Sequence, residues 1–256
     1  MKLGISFNVF DGIDILEKSI ENIRPCTDHI NIVYQNMSNH LFPAEPQWEE
    51  KIFSLNVNST ILYQPQFESF IVGHNVTPKQ CHQNETNKRN IGKQKAKECG
   101  CTHFLSMDVD EFYKVEEVEK CKKIIEENKY DATACCIQEY VYKPTYRKVE
   151  LESFFVSFIH DINLNFEMEG NFFVYVDPTR RPRDAQNPFL FDSNQIVLHH
   201  MTNVRKDKNS LLKKYRNSSA YINFKKIIID MANASEIFSP DETIKIVDNE
   251  FNIHIN

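Results

Sequence analysis

The sequence predicts a mixed α/β fold in which a mostly parallel β-sheet is flanked by helices. Apolar segments of strand length alternate with longer segments whose apolar residues recur every three or four positions. This alternation is typical of a parallel sheet with helices packed on its faces. No glycine-rich or proline-rich linker divides the 256 residues. We therefore expect a single domain over residues 1–256, with halves 1–115 and 116–256.

The first half of the chain predicts both strands and helices. Ile13, Leu16, Ile20 and Ile23 lie on one face of a helix over 13–23. Thr86 is a suitable N-cap for a helix over 86–99, since Gly100 follows its end. The same apolar spacing predicts a helix over 115–125. The predicted strands are 3–10, 29–34, 53–55, 60–63, 103–107 and 132–137, of which 53–55 and 60–63 are the weaker.

The second half is less regular. We expect aromatic-rich strands over 154–159 and 172–176, and a further strand over 195–199. Residues 208–232 favour one or two C-terminal helices. Alternation on both sides of Asp248 and Asn249 predicts a closing hairpin over 243–256.

Composition excludes several classes of protein. Hydrophobic residues make up 41% and charged residues 26% of the chain, which is ordinary for a globular protein. The net charge of −6 lacks the excess of lysine and arginine that general binding to nucleic acid requires. No segment resembles a transmembrane helix or a signal peptide. Since the seven cysteines contain no CxxC pair, we expect a reduced, cytoplasmic protein.

Two aspartates directly follow the predicted strand 103–107. Asp108 and Asp110 are two positions apart, so in an extended segment their side chains project to the same side. Carboxylates this close repel each other unless a cation relieves the repulsion. Carboxylate oxygens suit Mg²⁺ or Mn²⁺, and open α/β sheets bind ligands beyond the carboxyl ends of their strands. The pair indicates a Mg²⁺ or Mn²⁺ site, with a simple acidic strand end as the alternative.

Two basic residues precede that strand. Lys88 and Arg89 fall in the first turn of the predicted helix 86–99, where the helix dipole disfavours positive charge. Because the amides of a helix N-terminus bind anions, this arrangement predicts a diphosphate site. The alternative is a solvated basic face, since further lysines follow.

Two adjacent histidines end the predicted strand 195–199. His199 or His200 can ligate Mn²⁺ through a neutral imidazole, and we expect one of them to point into the sheet and the other toward the cleft. Among the basic residues that follow, Lys213 and Lys214 are suited either to hold a departing diphosphate or to lie on a solvated helix face.

Together these segments resemble glycosyltransferases of the GT-A fold, close to the family 2 type. The resemblance rests on the motifs RNxG at 89–92, DxDEF at 108–112 and HHxxxVRKD at 199–207. It covers most of the chain and implies sugar transfer from a nucleotide-diphosphate sugar, of the UDP or GDP type, to a glycan or other hydroxyl acceptor. Residues 1–115 would bind the nucleotide sugar, and residues 116–256 would form the acceptor side.

The resemblance also implies roles for individual residues. Asp108 would lie near the ribose and the metal, and Asp110 would ligate the metal together with His199 or His200. The metal would act as a Lewis acid for the departing diphosphate. The end of the first strand would line the nucleotide site through Phe7, Asn8, Val9 and Phe10, and Gln35 and Asn36 at the end of the second strand would meet the base.

The general base and the function class stay open at this point. Family 2 members usually invert the anomeric centre with a carboxylate base, and the sequence lacks their ED-type pair. Arg180, Arg181 and Arg183 form a basic loop that would bind an anionic acceptor or donor, or else a solvated turn. The alternatives are a haloacid dehalogenase-like phosphatase, which also carries DxD after a strand, and a non-catalytic carbohydrate-binding protein of the GT-A fold. Candidates for the base are Glu139, Glu167, Glu169, Asp184 and Asp192.

Overall fold

A computed structural model describes residues 1–44, 47–66, 76–169, 172, 177–205, 207–217 and 242–254. The α-helices in these ranges are α1 (Ile13–Ile23), α2 (Trp48–Ser54), α3 (Pro78–Glu98), α4 (Val115–Asn128) and α5 (Lys208–Asn217). The strands are β1 (Leu3–Val9), β2 (His29–Tyr34), β3 (Ser59–Leu62), β4 (His103–Asp108), β5 (Glu111–Phe112), β6 (Ala132–Tyr142), β7 (Tyr146–Lys148), β8 (Glu152–Asp161), β9 (Pro188–Leu190), β10 (Val197–Val204) and β11 (Ile244–Ile246).

The predicted mixed α/β fold with a mostly parallel central sheet is confirmed. Strands β3, β2, β1 and β4 lie side by side and are parallel, and β8 joins β4 to β6 in antiparallel orientation. β10 pairs with β6 in parallel and with β5 in antiparallel orientation. Because β2 and β3 lie on one side of β1 and β4 lies on the other, the carboxyl ends of β1 and β4 form a topological switch point. Open α/β sheets bind their ligands at such points.

Two predicted elements are wrong. Residues 53–54 end α2 instead of starting a strand, because the buried side chains of Trp48 and Ile52 are spaced as on a helix. The closing hairpin is not formed within residues 242–254, where the described strand β11 pairs with β7 instead. The rest of the predicted helix 208–232 beyond Asn217, and residues 173–176 of a predicted strand, lie outside the described residues.

The start of α3 also differs from the prediction. The N-cap is Thr77, whose side chain accepts a hydrogen bond from the backbone N–H of Gln80. The Gln80 side chain accepts from the backbone N–H of Thr77, which completes a capping box, and Pro78 occupies the first turn. Lys88 and Arg89 therefore lie in the middle of α3 and not in its first turn.

Small residues bring α3 unusually close to β1. A Cβ added at Gly92 would lie 2.0 Å from Ser6 Oγ, and one added at Gly4 would lie 2.5 Å from Ala96 Cβ. Side chains at these two positions would push the helix away from the sheet. The close contact sets how far the side chains of α3 reach across the carboxyl end of the sheet.

The main apolar core lies between this sheet and its helices. Its members include fully buried residues of β1 and β4, such as Ile5, Phe7 and Leu105. The helices in the described ranges all lack the combination of length and apolarity that crossing a bilayer would require.

His160 on β8 is a buried histidine that makes folding stability depend on pH. Its ring packs against Phe104 and Phe166. Burial, aided by the charge of Lys93, lowers the pKa of His160 from 6.5 to about 3. Below about pH 6.5 His160 is therefore protonated in the unfolded chain but stays neutral in the folded chain. As the pH decreases toward 3, this difference lowers the free energy of unfolding by up to about 1.4 kcal/mol per pH unit.

We expect His160→Phe to reduce the slope of the free energy of unfolding against pH between about pH 6.5 and 5, measured by urea denaturation. Part of the slope remains, because burial also lowers the pKa of His199 to about 3. The control is His254→Phe at an exposed position, which should keep the wild-type slope. Equal slopes for wild type and His160→Phe would contradict the assignment.

Candidate active site

A cleft of about 350 Å³ lies at the carboxyl ends of β1 and β4. The two strands are neighbours, and Asn8 is in register with Asp108. The cleft is also bordered by α3, β10 and α5. Its basic and imidazole-bearing lining residues are His82, Lys88, Arg89, His200, Arg205 and Lys214. Its acidic lining residues are Asp11, Glu85, Asp108, Asp110 and Asp177.

Both oxygens of Asp108 accept hydrogen bonds from guanidinium groups. Arg89 Nη2 lies 3.1 Å from Asp108 Oδ1, and Arg180 Nη2 lies 3.1 Å from Asp108 Oδ2. The carboxylate is still 34% exposed and faces the cleft. The repulsion expected between the two aspartates is thus relieved, on the Asp108 side, by arginines of the chain itself.

Arg89 extends from the middle of α3 across the end of β4. The predicted cooperation between this residue and the free amides of a helix N-terminus is wrong, because those amides lie near Pro78. The guanidinium group instead donates to Ser106 Oγ at 2.8 Å, Thr179 Oγ1 at 2.9 Å and Asp177 Oδ2 at 3.0 Å. It therefore joins α3, β4 and the turn that contains Asp177.

Arg180 is the second centre of the same network and is almost fully buried. Its Nη1 donates to Glu111 Oε2 at 2.9 Å and its Nε donates to Asp177 Oδ2 at 2.7 Å. Burial alone would raise the pKa of Asp177, but Arg89 and Arg180 hold it well below its usual range. Arg180 is enclosed by these acids, so the predicted basic loop does not present it to a ligand; exposed Arg183 pairs with Glu167.

Asp110 has two oxygens in different surroundings. Oδ2 accepts hydrogen bonds from Arg205 Nη2 at 3.0 Å and from Lys214 Nζ at 3.1 Å. Oδ1 faces His200 Nε2 at 3.6 Å. Burial would raise the pKa of Asp110, but Lys214, His200 and Arg205 together hold it well below its usual range. Asp110 is therefore an ionised carboxylate with one oxygen directed toward an imidazole.

This arrangement fits a divalent cation held by two side chains of the protein. Asp110 Oδ1 and His200 Nε2 are close enough to ligate the same ion. In the described part of the chain, no three histidine, cysteine or acidic side chains form a complete metal-binding group. Mg²⁺ characteristically takes one or two protein ligands and completes its coordination with phosphate oxygens and water.

The two histidines have different environments. His200 lines the cleft. His199 is buried on the other side of β10, where its Nδ1 lies 2.9 Å from the Tyr140 hydroxyl and its ring packs against Phe251. Strand alternation thus separates two adjacent histidines into one residue that faces a ligand and one that belongs to the core.

Lys88 is a buried cation that faces the cleft. Its side chain has no hydrogen-bond or ion-pair partner among the described residues, although it is only 5% exposed. Burial lowers its pKa to about 8, while the nearby Glu85 opposes the shift. Burial likewise raises the pKa of Glu85 to about 7. A buried ammonium group without a partner is costly unless an anion is bound beside it.

Of the predicted nucleotide-binding residues of the first two strands, some line the cleft and others are buried. Asn8 lines the cleft, as does Phe10 just beyond β1. Phe7 and Val9 are fully buried in the core and do not reach the cleft. Gln35 is also buried, and its Nε2 donates to the carbonyl of Met37 at 2.7 Å.

The predicted candidates for a general base lie outside the cleft lining. Glu139 pairs with Lys148, Glu169 is exposed, and Asp184 lies in an exposed loop beside Arg183. Asp192 accepts from the backbone N–H of Asn194 at 2.8 Å. Lys213 lines a smaller cavity that adjoins the cleft through Phe10, Asp11 and Arg205.

Sequence reasoning missed several residues of the cleft. His82 and Glu85 precede the predicted start of α3. Reading Thr77-Pro78-Lys79-Gln80 as a capping box would have placed His82 two turns and Glu85 one turn before Arg89. Asp177 and Thr202 carry no local signal, because the tertiary fold alone brings them to the cleft.

Comparison with known proteins gives structural likeness at low sequence identity. No protein-family model and no curated protein sequence matches the chain. Staphylococcus aureus TarS 1–349 aligns over 90% of this chain and 70% of its own, at 11% identity and a TM-score of 0.43. Its complex with UDP-GlcNAc aligns over 92% and 68%, at 13% identity and a TM-score of 0.40.

GalNAc-T7 with UDP, GalNAc and Mn²⁺ aligns over 93% of this chain and 55% of its own, at 10% identity and a TM-score of 0.46. TarS and GalNAc-T7 are GT-A glycosyltransferases, the family that the sequence motifs resemble. Likeness at this level assigns no ligand and no residue role to the present chain.

The Arg180 network gives a prediction about stability. Replacing Arg180 by Met leaves Glu111 buried without its cation, and we expect the free energy of unfolding to fall by about 3–5 kcal/mol in urea denaturation. Arg183→Met is the matched control, because its ion pair with Glu167 is exposed and the expected loss is about 0–1 kcal/mol. Similar losses in the two variants would show that Arg180 does not hold the buried acids.

Proposed function

We propose that the chain is a glycosyltransferase that moves a sugar from a nucleotide-diphosphate sugar, of the UDP or GDP type, to a hydroxyl acceptor such as a glycan. The observation that carries the proposal is Lys88, a buried cation without a partner among the described residues, in a cleft at the switch point of the sheet. A diphosphate would supply the missing negative charge. The motifs that resemble family 2 glycosyltransferases lie around the same cleft.

A divalent cation, Mn²⁺ or Mg²⁺, would be held by Asp110 and His200. When bound, it would stabilise the negative charge that develops on the departing diphosphate. Lys88 would bind the diphosphate from the α3 side and Lys214 from the α5 side. Asp108, oriented by Arg89 and Arg180, would accept hydrogen bonds from the ribose hydroxyls.

An inverting course remains our prediction, and it requires a base that takes the proton of the acceptor hydroxyl. Glu85 and Asp11 are carboxyl groups that line the cleft. Glu85 is the better suited of the two, because burial raises its pKa to about 7, close to physiological pH.

The phosphatase alternative would require Asp108 to attack phosphorus as a nucleophile. Both of its oxygens accept hydrogen bonds from arginines, which lowers their nucleophilicity. A screen of UDP-sugars and GDP-sugars for hydrolysis in the presence of Mn²⁺, run beside a phosphomonoester substrate, separates the two functions. Hydrolysis of the phosphomonoester alone would refute the transferase proposal, and binding of a glycan without any turnover would favour a carbohydrate-binding protein.

Lys88→Ala tests the diphosphate contact. We expect its affinity for UDP or GDP, measured by calorimetry, to fall about 10- to 100-fold, because a charge-assisted hydrogen bond in a buried site is lost. Lys97→Ala removes an exposed lysine from the same helix and serves as the control. Equal affinities in the two variants would exclude Lys88 from the binding site.

His200→Ala tests the metal contact. We expect the Mn²⁺ concentration needed for half-maximal donor hydrolysis to rise about tenfold or more, because one of two protein ligands is removed. His254→Ala, at an exposed position, should leave this concentration unchanged. An unchanged Mn²⁺ requirement in His200→Ala would show that His200 does not ligate the metal.

A further inference from the structure

We infer that Lys214 competes with the divalent cation for Asp110, so that metal binding and diphosphate binding are coupled through this one lysine. The inference rests on the proposed function, since it takes Asp110 and His200 as the metal ligands. It concerns regulation of the same site, because binding of one ligand changes the affinity for the other.

The competition follows from the contacts of one carboxylate. Asp110 Oδ2 accepts from Lys214 Nζ at 3.1 Å, and Asp110 Oδ1 lies 3.6 Å from His200 Nε2. A divalent cation between Oδ1 and the imidazole would stand within a few ångströms of the Lys214 ammonium group. Like charges at such a separation repel strongly where water is largely excluded. Metal bound without a counter-anion is therefore opposed by Lys214.

Lys214, and not Arg205, is the cation suited to move. Arg205 is held at the end of β10, because its Nη1 donates to the carbonyl oxygens of Met201 and Val204, and its side chain is only 4% exposed against 19% for Lys214. Lys214 lies on α5, borders the cleft and also binds the carbonyl and hydroxyl groups of Thr202. Its four-carbon stem lets the ammonium group change partners without movement of the helix.

A diphosphate in the cleft changes this balance. Its negative charge attracts Lys214 away from Asp110 and at the same time offers oxygen ligands to the metal. Each ligand then strengthens binding of the other by the same factor, as thermodynamic linkage requires. The site would thus bind metal and nucleotide together in preference to metal alone.

The experiment measures Mn²⁺ binding to the full chain by the electron paramagnetic resonance signal of free Mn²⁺, without nucleotide and with UDP or GDP. The test variant is Lys214→Met, and the control is Lys208→Met, which removes a lysine of the same helix that does not line the cleft. We expect Lys214→Met to bind Mn²⁺ alone about tenfold more tightly than wild type or more, and to bind UDP alone about tenfold more weakly. The factor by which UDP tightens Mn²⁺ binding should shrink in parallel.

Further variants separate charge from packing. Lys214→Arg keeps the charge and should retain the weak affinity for Mn²⁺ alone. Where Lys214→Met does not fold, as judged by its thermal melt, Lys214→Gln takes its place because an amide can still bind Thr202 without a charge. An unchanged or weaker affinity of the neutral variants for Mn²⁺, or no Mn²⁺ binding in any variant, overturns the inference. If UDP and GDP fail to bind throughout, the proposed function fails, while the titration with Mn²⁺ alone still decides the role of Lys214.

Discussion

The site depends on the neutralisation of acids at one edge of the sheet by cations from distant parts of the chain. Arg89 and Arg180 balance Asp108, Asp177 and Glu111. Two other cations, Arg205 just after β10 and Lys214 on α5, balance Asp110. Such buried ion pairs add little net stability, but removing one partner leaves a costly unpaired charge. The segments that supply the cations must therefore dock together before the cleft has its shape.

Close packing of α3 on β1 is what allows the first of these networks to form. Gly92 and Gly4 let the helix backbone approach strand atoms to a distance that no larger side chain would tolerate. From that position the Arg89 guanidinium reaches Ser106, inside the sheet, and Asp108, at its edge. The close packing at these two glycines therefore determines where the positive charge of Arg89 lies in the site.

The elements that could be predicted are those whose signal is local. Residues 13–23 and 29–34 were predicted to the residue, because the helix buries one apolar face and the strand is buried along its whole length. The start of α3 was missed although its capping box is also local, since the helix before residue 86 is polar and lacks an apolar face. The alternation that buries Phe7 and exposes Asn8 was available in the sequence, and the parity of β1 would have excluded Phe7 from the cleft.

The partners of the acids could not be predicted, because they depend on long-range contacts. Arg180 is 72 residues from Asp108, and Lys214 is 104 residues from Asp110. The sequence predicts that a bound metal relieves the repulsion between the two aspartates. In the fold, arginine and lysine side chains already neutralise much of their charge. Which histidine faces the cleft depends in turn on the pairing of β10 with β5 and β6.

The distribution of charge, more than the DxD motif itself, determines what the cleft can bind. Because protein cations already balance Asp108 and Asp110, the buried charge that lacks a partner among the described residues is the positive one of Lys88. An entering anion therefore meets the ammonium group of Lys88, although the chain as a whole carries a net charge of −6. The same hydrogen bonds that fix Asp108 reduce its ability to attack an electrophile, so the cleft is suited to stabilising a departing anion rather than to forming a covalent bond with the substrate. Among phosphate-bearing ligands, that combination favours one whose diphosphate leaves over one whose phosphoryl group is transferred to the protein.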